Sequence, residues 1–260
     1  MENIKIDPFH LEDIKNEHHP SIFTKSDGYD LFILRTAIQE KGRIVPISNA
    51  FIFTEESYYY FDKNESKFIN LKDTQSLHKM LDKKIDTMLK ITTDFFNTLE
   101  SIEDKFYEDG NIQGFNRVWF SYKNELIKLN RILFKDIEAL KGFITSYKKE
   151  DDFLETNFSD LLEHLERSHR NSSHALEKLD TLYNLYITNS NERMNQTIYF
   201  LTLLSAIFLP LNLMVGFFGM NTTSMPFTKA EGGTYSVVML LAAFALISSI
   251  LALFLKKRKN

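Results

Sequence analysis

The sequence has no cysteine, and only nine glycines and five prolines among its 260 residues. Without cysteine there is no thiol nucleophile, no Cys-ligated zinc, no iron–sulfur cluster and no disulfide. The sequence also has no P-loop, no nucleophile elbow, no HExxH pair and no glycine-rich dinucleotide turn. These absences argue against an enzyme and against a catalytic cofactor.

Charge is distributed unevenly along the chain. The 31 basic and 35 acidic residues give a net charge of −4. Residues 197–260 hold five of the basic and one of the acidic residues, which leaves 26 basic and 34 acidic residues in 1–196. This acidic front part makes nucleic acid a poor partner.

Two uncharged stretches of 22 residues, Thr197–Phe218 and Thr234–Leu255, set the broad class of protein. A helix of that length is about 33 Å long, and the hydrocarbon core of a bilayer is about 30 Å thick. The sequence therefore predicts two transmembrane helices near the C-terminus, in contact with the lipid bilayer.

The orientation of these spans follows from the flanking residues. The residues after Met1 are charged, so no cleaved signal peptide is expected. The basic tail at 256–260 favours the cytoplasm by the positive-inside rule. We therefore expect a multi-pass inner-membrane protein with both termini in the cytoplasm and with residues 219–233 as an outer loop.

The cytosolic part divides by periodicity. Residues 1–70 are expected to form a small α/β unit, because 30–38 and 49–61 are rich in β-branched and aromatic residues and a turn is indicated at Lys41–Arg43. Residues 71–150 have apolar side chains at helical spacing, interrupted near Gly114, and are predicted to form a helical hairpin. Trp119 is expected in the core of this hairpin.

Residues 151–218 are predicted to form one helix that runs from the cytosol into the first span, since only Pro210 interrupts it, where we expect a bend. Its cytosolic half carries a heptad seam. The seam consists of Phe158, Leu161, Leu165, Ser168, Ser172, Ala175, Leu179, Leu182, Tyr186 and Asn189. Partner helices or the preceding hairpin could cover this seam, and the small residues at its centre suggest looser or wetter packing.

Continuing the seven-residue step into the first span places nearly all its polar residues on one stripe. The stripe consists of Asn195, Ile198, Thr202, Ser205, Leu209, Asn212, Gly216 and Gly219. Polar groups at membrane depth favour contact with protein or water, and Asn212 has an amide to satisfy near mid-span. The stripe therefore predicts a polar axis shared by the subunits of a homo-oligomer, with helix–helix contacts as the alternative.

The stretch 191–227 resembles the CorA-type magnesium transporters. The resemblance is carried by Leu201-Thr202, by FLPL at 208–211, by Gly219-Met220-Asn221 and by Met225-Pro226. FSDLLEH at 158–164 is similar to a segment of the same family. The matching part covers about the last 110 residues.

The resemblance implies a funnel-shaped homopentamer for passive Mg²⁺ uptake, with Mg²⁺ or another divalent cation as both substrate and regulator. The fold it implies is an α+β cytosolic domain, a long stalk helix that continues into transmembrane helix 1, and transmembrane helix 2 at the C-terminus. Asn221 would form the selectivity ring, and Gly219 and Met220 would shape its backbone. The inner constriction would be formed by Asn195, Ile198, Leu201 and Thr202. Asp160 would be a regulatory metal ligand between subunits.

Two departures from the family pattern, and relatives that carry other ions, leave the ion open. The outer loop after Asn221 has no acidic residue before Glu231, and Glu163 replaces the second aspartate of the FSDLLEH-type segment. Proteins of the same architecture carry Zn²⁺, Ni²⁺ or Co²⁺, some with proton coupling. His164, His169 and His174 are five residues apart and so cannot converge within one chain. A membrane-anchored scaffold protein is a further alternative.

Overall fold

The computed structural model describes residues 5–55, 57–109, 112–150, 152–220 and 233–257. By contacts the chain divides into two compact units, residues 1–186 and 187–260. In chain order the elements are α1 (Pro8–Lys15), β1 (Ile22–Ser26), β2 (Tyr29–Glu40), β3 (Arg43–Phe53), β4 (Tyr58–Asp62), β5 (Lys67–Asn70), α2 (Thr74–Asp109), α3 (Phe115–Tyr147), α4 (Glu155–Phe218) and α5 (Gly233–Lys257).

The five strands form one antiparallel sheet in the order β1-β2-β3-β4-β5, so each strand pairs with its neighbours in sequence. The turn expected at Lys41–Arg43 joins β2 to β3. Lys41 and Gly42 both have positive φ, 49° and 77°, which suits a tight hairpin between right-handedly twisted strands.

The prediction of a single strand over 49–61 was wrong. β3 already begins at Arg43, and the chain turns at Thr54–Ser57 before β4 begins at Tyr58. The Thr54 hydroxyl closes this turn, because it donates to the Ser57 carbonyl at 3.0 Å and accepts from the Ser57 amide at 3.1 Å. The composition did not reveal this turn, because aromatic and β-branched residues lie on both sides of it and it contains no Gly or Pro.

Different elements pack against the two faces of the sheet. Alternate side chains of β2 point to opposite faces, so Phe32 and Leu34 join the main core with α2, α3 and α4. Leu31 and Ile33 face the other way, into a small core with Ile14 of α1. The larger core therefore lies between the sheet and the long helices.

Helices α2 and α3 form the predicted antiparallel hairpin. Phe106 and Phe115 stack edge-to-face at 4.8 Å beside the turn, and Phe95 and Tyr122 do so at 5.7 Å further along. Trp119 is only half-buried. Its ring stacks on Tyr183 of α4 at 4.4 Å, so it lies at the edge of the core.

Helix α4 is one 64-residue helix, as expected from a segment whose only proline is Pro210. All its buried residues belong to the predicted heptad seam, from Phe158 to Leu182. Phe158 packs on Phe143 of α3 at 5.2 Å, and Phe115 packs on Tyr186 at 5.4 Å, so α4 runs antiparallel to α3. The chain's own hairpin therefore covers the seam.

The polar centre of the seam is buried. Ser168, Ser172 and Ala175 are all 0% exposed. Ser168 donates to the His164 carbonyl at 2.8 Å, whereas the enclosed Ser172 Oγ atom has no hydrogen-bond partner among the described residues. The looser or wetter packing expected there stays a prediction.

One carboxyl group is fully enclosed between α3 and the sheet. Asp136 of α3 accepts a hydrogen bond from the Ser21 hydroxyl, which in turn accepts from the Arg35 amide at 2.8 Å. Burial raises the pKa of Asp136 well above its ordinary value, and the hydrogen bonds and the Arg35 charge oppose this only partly.

Candidate functional site

The predicted polar stripe lies on one exposed side of α4. Leu209 is 67% exposed, and the remaining members are exposed as well. These are Asn195, Ile198, Thr202, Ser205, Asn212, Gly216 and Gly219, and Leu201 of the predicted inner constriction is exposed as well. Among the described residues nothing buries this side of the helix, which leaves it available to water, lipid or other subunits.

The opposite side of the same segment is half-buried. Its half-buried residues recur every three or four positions and are Tyr199, Leu203, Ile207, Leu211, Met214 and Phe218. α5 has a matching half-buried stripe at Val237, Leu241, Phe244 and Ala245. Single stripes of this kind are typical of two helices that pack on each other. Apolar contacts therefore account for one side of α4 and leave the polar side open.

Two threonine hydroxyl groups in the second half of α4 have satisfied donors. Thr202 donates to the Ile198 carbonyl at 2.8 Å, and Thr197 donates to the Arg193 carbonyl at 3.0 Å. Each hydroxyl oxygen keeps lone pairs that point away from the backbone. Thr202 can therefore accept hydrogen bonds from the water shell of a cation.

Helix α4 ends in a tight turn at Gly219. The Gly219 amide donates to the Val215 carbonyl at 2.8 Å, and the Met220 amide donates to the Phe217 carbonyl at 3.3 Å. A Cβ atom at Gly219 would lie 3.0 Å from the Val215 oxygen, so glycine allows this close approach. Asn221 and Met225-Pro226 lie outside the described residues.

The structure supports the first of the two predicted spans but not the second. Among the described residues α4 is the one helix long and apolar enough to cross a membrane, and none of its most apolar window is buried. The apolar part of α5 whose side chains are described, Tyr235–Ile247, is shorter than a bilayer requires. The second span, the outer loop and the location of the termini therefore remain predictions.

A second polar group lies in the other unit, where α2 crosses α4. Ligand atoms of Asp82, Asp86 and His164 all lie within 4.8 Å of one another. His164 Nδ1 is 3.7 Å from Asp86 Oδ1, and His164 Nε2 is 3.8 Å from Asp160 Oδ2. We call these four residues the carboxylate–imidazole cluster.

The burial and spacing of this cluster suit a cation. Asp160 and Asp86 are exposed, whereas His164 is half-buried and its enclosed Nδ1 atom has no hydrogen-bond partner among the described residues. Metal–ligand bonds of about 2.1 Å require ligand atoms within about 4.2 Å of one another. Small side-chain rotations, or intervening water molecules, would bring Asp82, Asp86 and His164 around one ion, with Asp160 beside the other ring nitrogen of His164.

Sequence reasoning identified Asp160 but missed Asp82 and Asp86. The signal that could have found them is their separation of four residues, which repeats the separation of Asp160 and His164 and places each pair on one helix face. His169 and His174 do not join them. His169 lies beside Phe134 at 6.2 Å, and His174 lies 3.5 Å from Glu177, as their five-residue spacing predicts.

The family model for the CorA-like Mg²⁺ transporter protein matches residues 1–258. The chain belongs to this family. The family consists of membrane transporters for divalent metal ions, so membership supports transport over the scaffold alternative.

Relatives agree with this family assignment. The cobalt/magnesium transport protein CorA of Thermotoga maritima is 22% identical over 275 aligned positions, which cover 98% of this chain and 76% of that protein. YfjQ of Bacillus subtilis is 28% identical over 128 residues, and the match spans 49% of this chain but only 40% of that protein.

The fold is also that of the family. The CorA magnesium transporter of Methanocaldococcus jannaschii superposes with a TM-score of 0.79 at 17% identity, over 95% of this chain and 82% of that one. The order of an N-terminal α/β unit followed by a long helix is therefore a CorA-like fold.

Proposed function

We propose that the protein is a homopentameric channel for the uptake of a hydrated divalent cation, with Mg²⁺ as the favoured ion. Five copies of α4 would surround the axis, with the polar stripe turned inward. Thr197–Phe218 and Thr234–Leu255 would be the two spans, with both termini in the cytoplasm and residues 219–233 outside.

The observation that carries this proposal is the polar stripe on α4. An isolated membrane anchor gains nothing from an amide and two hydroxyl groups aligned along a 22-residue apolar segment. The opposite side is half-buried and apolar, so the stripe is the side left for other copies and for water. A single helix cannot enclose a path, and a symmetric ring can.

The stripe suits Mg²⁺ because its oxygen atoms are neutral. Mg²⁺ loses its water shell reluctantly, and amide or hydroxyl oxygens can hold a hydrated ion without binding it too tightly to leave. A divalent cation crossing 100 mV gains about 4.6 kcal/mol, so the membrane potential suffices as the driving force. We assign the outer ring to Asn221 and the inner constriction to Asn195, Ile198, Leu201 and Thr202.

We also assign closure at high internal Mg²⁺ to the carboxylate–imidazole cluster. The neighbouring carboxylates of Asp82 and Asp86 repel when no cation is present, and a bound cation removes that repulsion. Asp160 is the most exposed of the four, which suits a ligand that a neighbouring subunit also approaches. Falling Mg²⁺ would then loosen the ring.

A specific observation favours a second ion class. His164 contributes nitrogen to the cluster, and imidazole suits Zn²⁺, Ni²⁺ and Co²⁺ better than Mg²⁺. The name of the Thermotoga relative includes cobalt as well as magnesium. The alternative is therefore a Zn²⁺, Ni²⁺ or Co²⁺ transporter of the same architecture, with or without proton coupling.

The deciding experiment is ion flux into liposomes that contain the purified protein, with Mg²⁺, Zn²⁺, Ni²⁺ and Co²⁺ compared with and without a proton gradient. We expect potential-driven Mg²⁺ flux that Asn221→Ala abolishes while the oligomer stays intact. The matched control is Ile207→Leu on the opposite side of α4, which should keep its flux. Zn²⁺ flux that follows the proton gradient would contradict Mg²⁺ as the favoured ion and would support the second ion class.

Closure is tested in the same liposomes with Mg²⁺ inside. Asp86→Asn and Asp160→Asn should raise the internal Mg²⁺ concentration needed for closure about tenfold or more. Glu177→Gln, an exposed carboxyl on α4 outside the cluster, is the control. Normal closure in both cluster variants would remove the regulatory role and leave the channel proposal standing.

A further inference from the structure

Helix α3 has an apolar line on its outer surface that the described residues leave largely exposed. Phe120, Ile127 and Phe134 are 63%, 41% and 48% exposed. They are seven residues apart, so they lie nearly one above another along about 21 Å of the helix. Large apolar side chains arranged in this way on a folded unit indicate a contact surface.

Basic residues flank this line. Lys128 and Lys135 are exposed, and each forms an ion pair within its own helix. Arg117 and Arg131 are also exposed, and neither has an ion pair within the described part of the chain. A symmetric contact between two α3 helices would bring these cations together, so a two-fold α3–α3 pair is disfavoured.

The complementary surface lies on α2 of the same unit. The exposed side of its C-terminal half carries Asp94, Asp104 and Glu108, which form no ion pair with any described residue, and one basic residue, Lys105. Asn97 and Ser101 lie between these acids and are exposed as well. The acidic stripe thus has small side chains where it would receive bulky ones.

The two surfaces lie at the same height along the hairpin. The contact between Phe106 and Phe115 aligns the two helices. Asp104 comes two residues before Phe106 and Arg117 two residues after Phe115, so both lie at the same distance from this contact. In a ring whose axis runs along the helices, adjacent copies meet at equal height.

We propose that the apolar and basic face of α3 docks on the acidic face of α2 from a second copy of this chain. The contact is heterologous: each copy uses its α3 face on one side and its α2 face on the other. A contact of this kind forms a ring when the rotation between adjacent copies closes, as the proposed homopentamer requires. The inference rests on the proposed homo-oligomer and specifies which cytosolic surfaces join its subunits.

The absence of cysteine allows a direct test in the full chain. A chain with Ser101→Cys and a chain with Phe120→Cys, each with its own tag, are produced together and oxidised in membranes. We expect a disulfide-linked dimer that carries both tags, and no linked dimer from either chain alone. Phe9→Cys, at an exposed site on α1, replaces Ser101→Cys in the control and should give no mixed dimer.

Charge exchange tests the complementarity in the same assay. Arg117→Asp in the chain with Phe120→Cys should lower mixed dimer formation about fivefold, and Asp104→Lys in the other chain should restore it. These positions are exposed, so circular dichroism should show unchanged helix content in each variant.

Two results would overturn the surface assignment. One is a linked dimer from Phe120→Cys alone, which would require a two-fold contact. The other is no mixed dimer at all from well-folded chains. Ion flux of the same cysteine chains separates this inference from the proposed function: intact flux without the mixed dimer refutes only the surface, whereas a mixed dimer without flux refutes only the channel.

Discussion

The two halves of α4 are the same length and lie in one helix, but the first half buries apolar side chains and the second half exposes polar ones. Residues 155–186 bury an apolar seam against the hairpin of their own chain. Residues 187–218 have no buried position and expose a stripe of polar side chains. Helix α4 thus packs its apolar side against its own chain and leaves its polar side exposed, available for the proposed contacts with other copies. The contrast separates the part that stabilises the fold from the part assigned to transport.

The largest expected effect tests the buried half. Phe158 is fully buried against Phe143 and Phe153. Phe158→Ala should lower the free energy of unfolding by about 3–5 kcal/mol, since it removes a packed ring and leaves a cavity. Chemical denaturation of the purified chain measures this. The matched change Phe208→Ala, at an exposed site in the other half, should cost less than about 1 kcal/mol. Equal losses would contradict the division of α4.

The second prediction tests the polar half. Asn212→Leu keeps the size of the side chain but removes its donors and acceptor. We expect Mg²⁺ flux to fall about 10- to 100-fold, by analogy with the loss of one aligned polar ligand, with little change in thermal unfolding. Leu211→Met, on the half-buried side, should keep flux within about twofold. Flux that survives Asn212→Leu would make the stripe a helix-packing feature.

The third prediction tests whether buried groups within residues 1–186 set the stability of this unit. Burial raises the pKa of Asp136 above its ordinary value of 3.8, so the folded unit retains a proton that the unfolded chain releases. Its contribution to stability is full below that ordinary value and is lost as the pH rises through the higher pKa of the folded state. Asp136→Asn should therefore gain in melting temperature over the natural chain at pH 8 and gain less at pH 4.

Melting curves between pH 4 and pH 8 check this. Asp27→Asn, at an exposed position outside the contacts proposed above, is the control. A difference between Asp136→Asn and the natural chain that does not change with pH would show that Asp136 does not titrate over this range.

The smallest effect is expected at the edge of the buried half. Lys123 donates to Asp180 at 2.7 Å and lies over the Trp119 ring at 4.8 Å. Both charged groups are partly exposed, so Lys123→Met should lower the free energy of unfolding by about 1 kcal/mol or less. Denaturation at low and high salt measures it. A loss above about 2 kcal/mol would place this ion pair in the core.

Much of the fold follows from periodicity. The helical hairpin, the long α4 and the buried seam all follow from apolar residues at spacings of three, four and seven. The turn at Lys41-Gly42 follows from glycine. The boundary between β3 and β4 was missed because a threonine hydroxyl closes that turn, and aromatic composition continues through it.

Less of the candidate site was predictable. The stripe on α4 follows from a seven-residue step, since position along a helix fixes direction around it. The carboxylate–imidazole cluster does not, because Asp82 and His164 are 82 residues apart and meet only where α2 crosses α4. The roles assigned to Asn221 and Asp160 came from resemblance and stay predictions.

The sequence by itself determined which faces each helix has, where α4 extends beyond the N-terminal unit and which family motif follows it, since these depend only on local order and helical period. The tertiary structure decided which face is already covered. The seam of α4 was equally suited to a partner or to its own hairpin, and the hairpin takes it because the link between α3 and α4 is short and brings the two antiparallel. The stripe on α4 was predicted from the sequence, but the line on α3 could be recognised as exposed only after that packing was known.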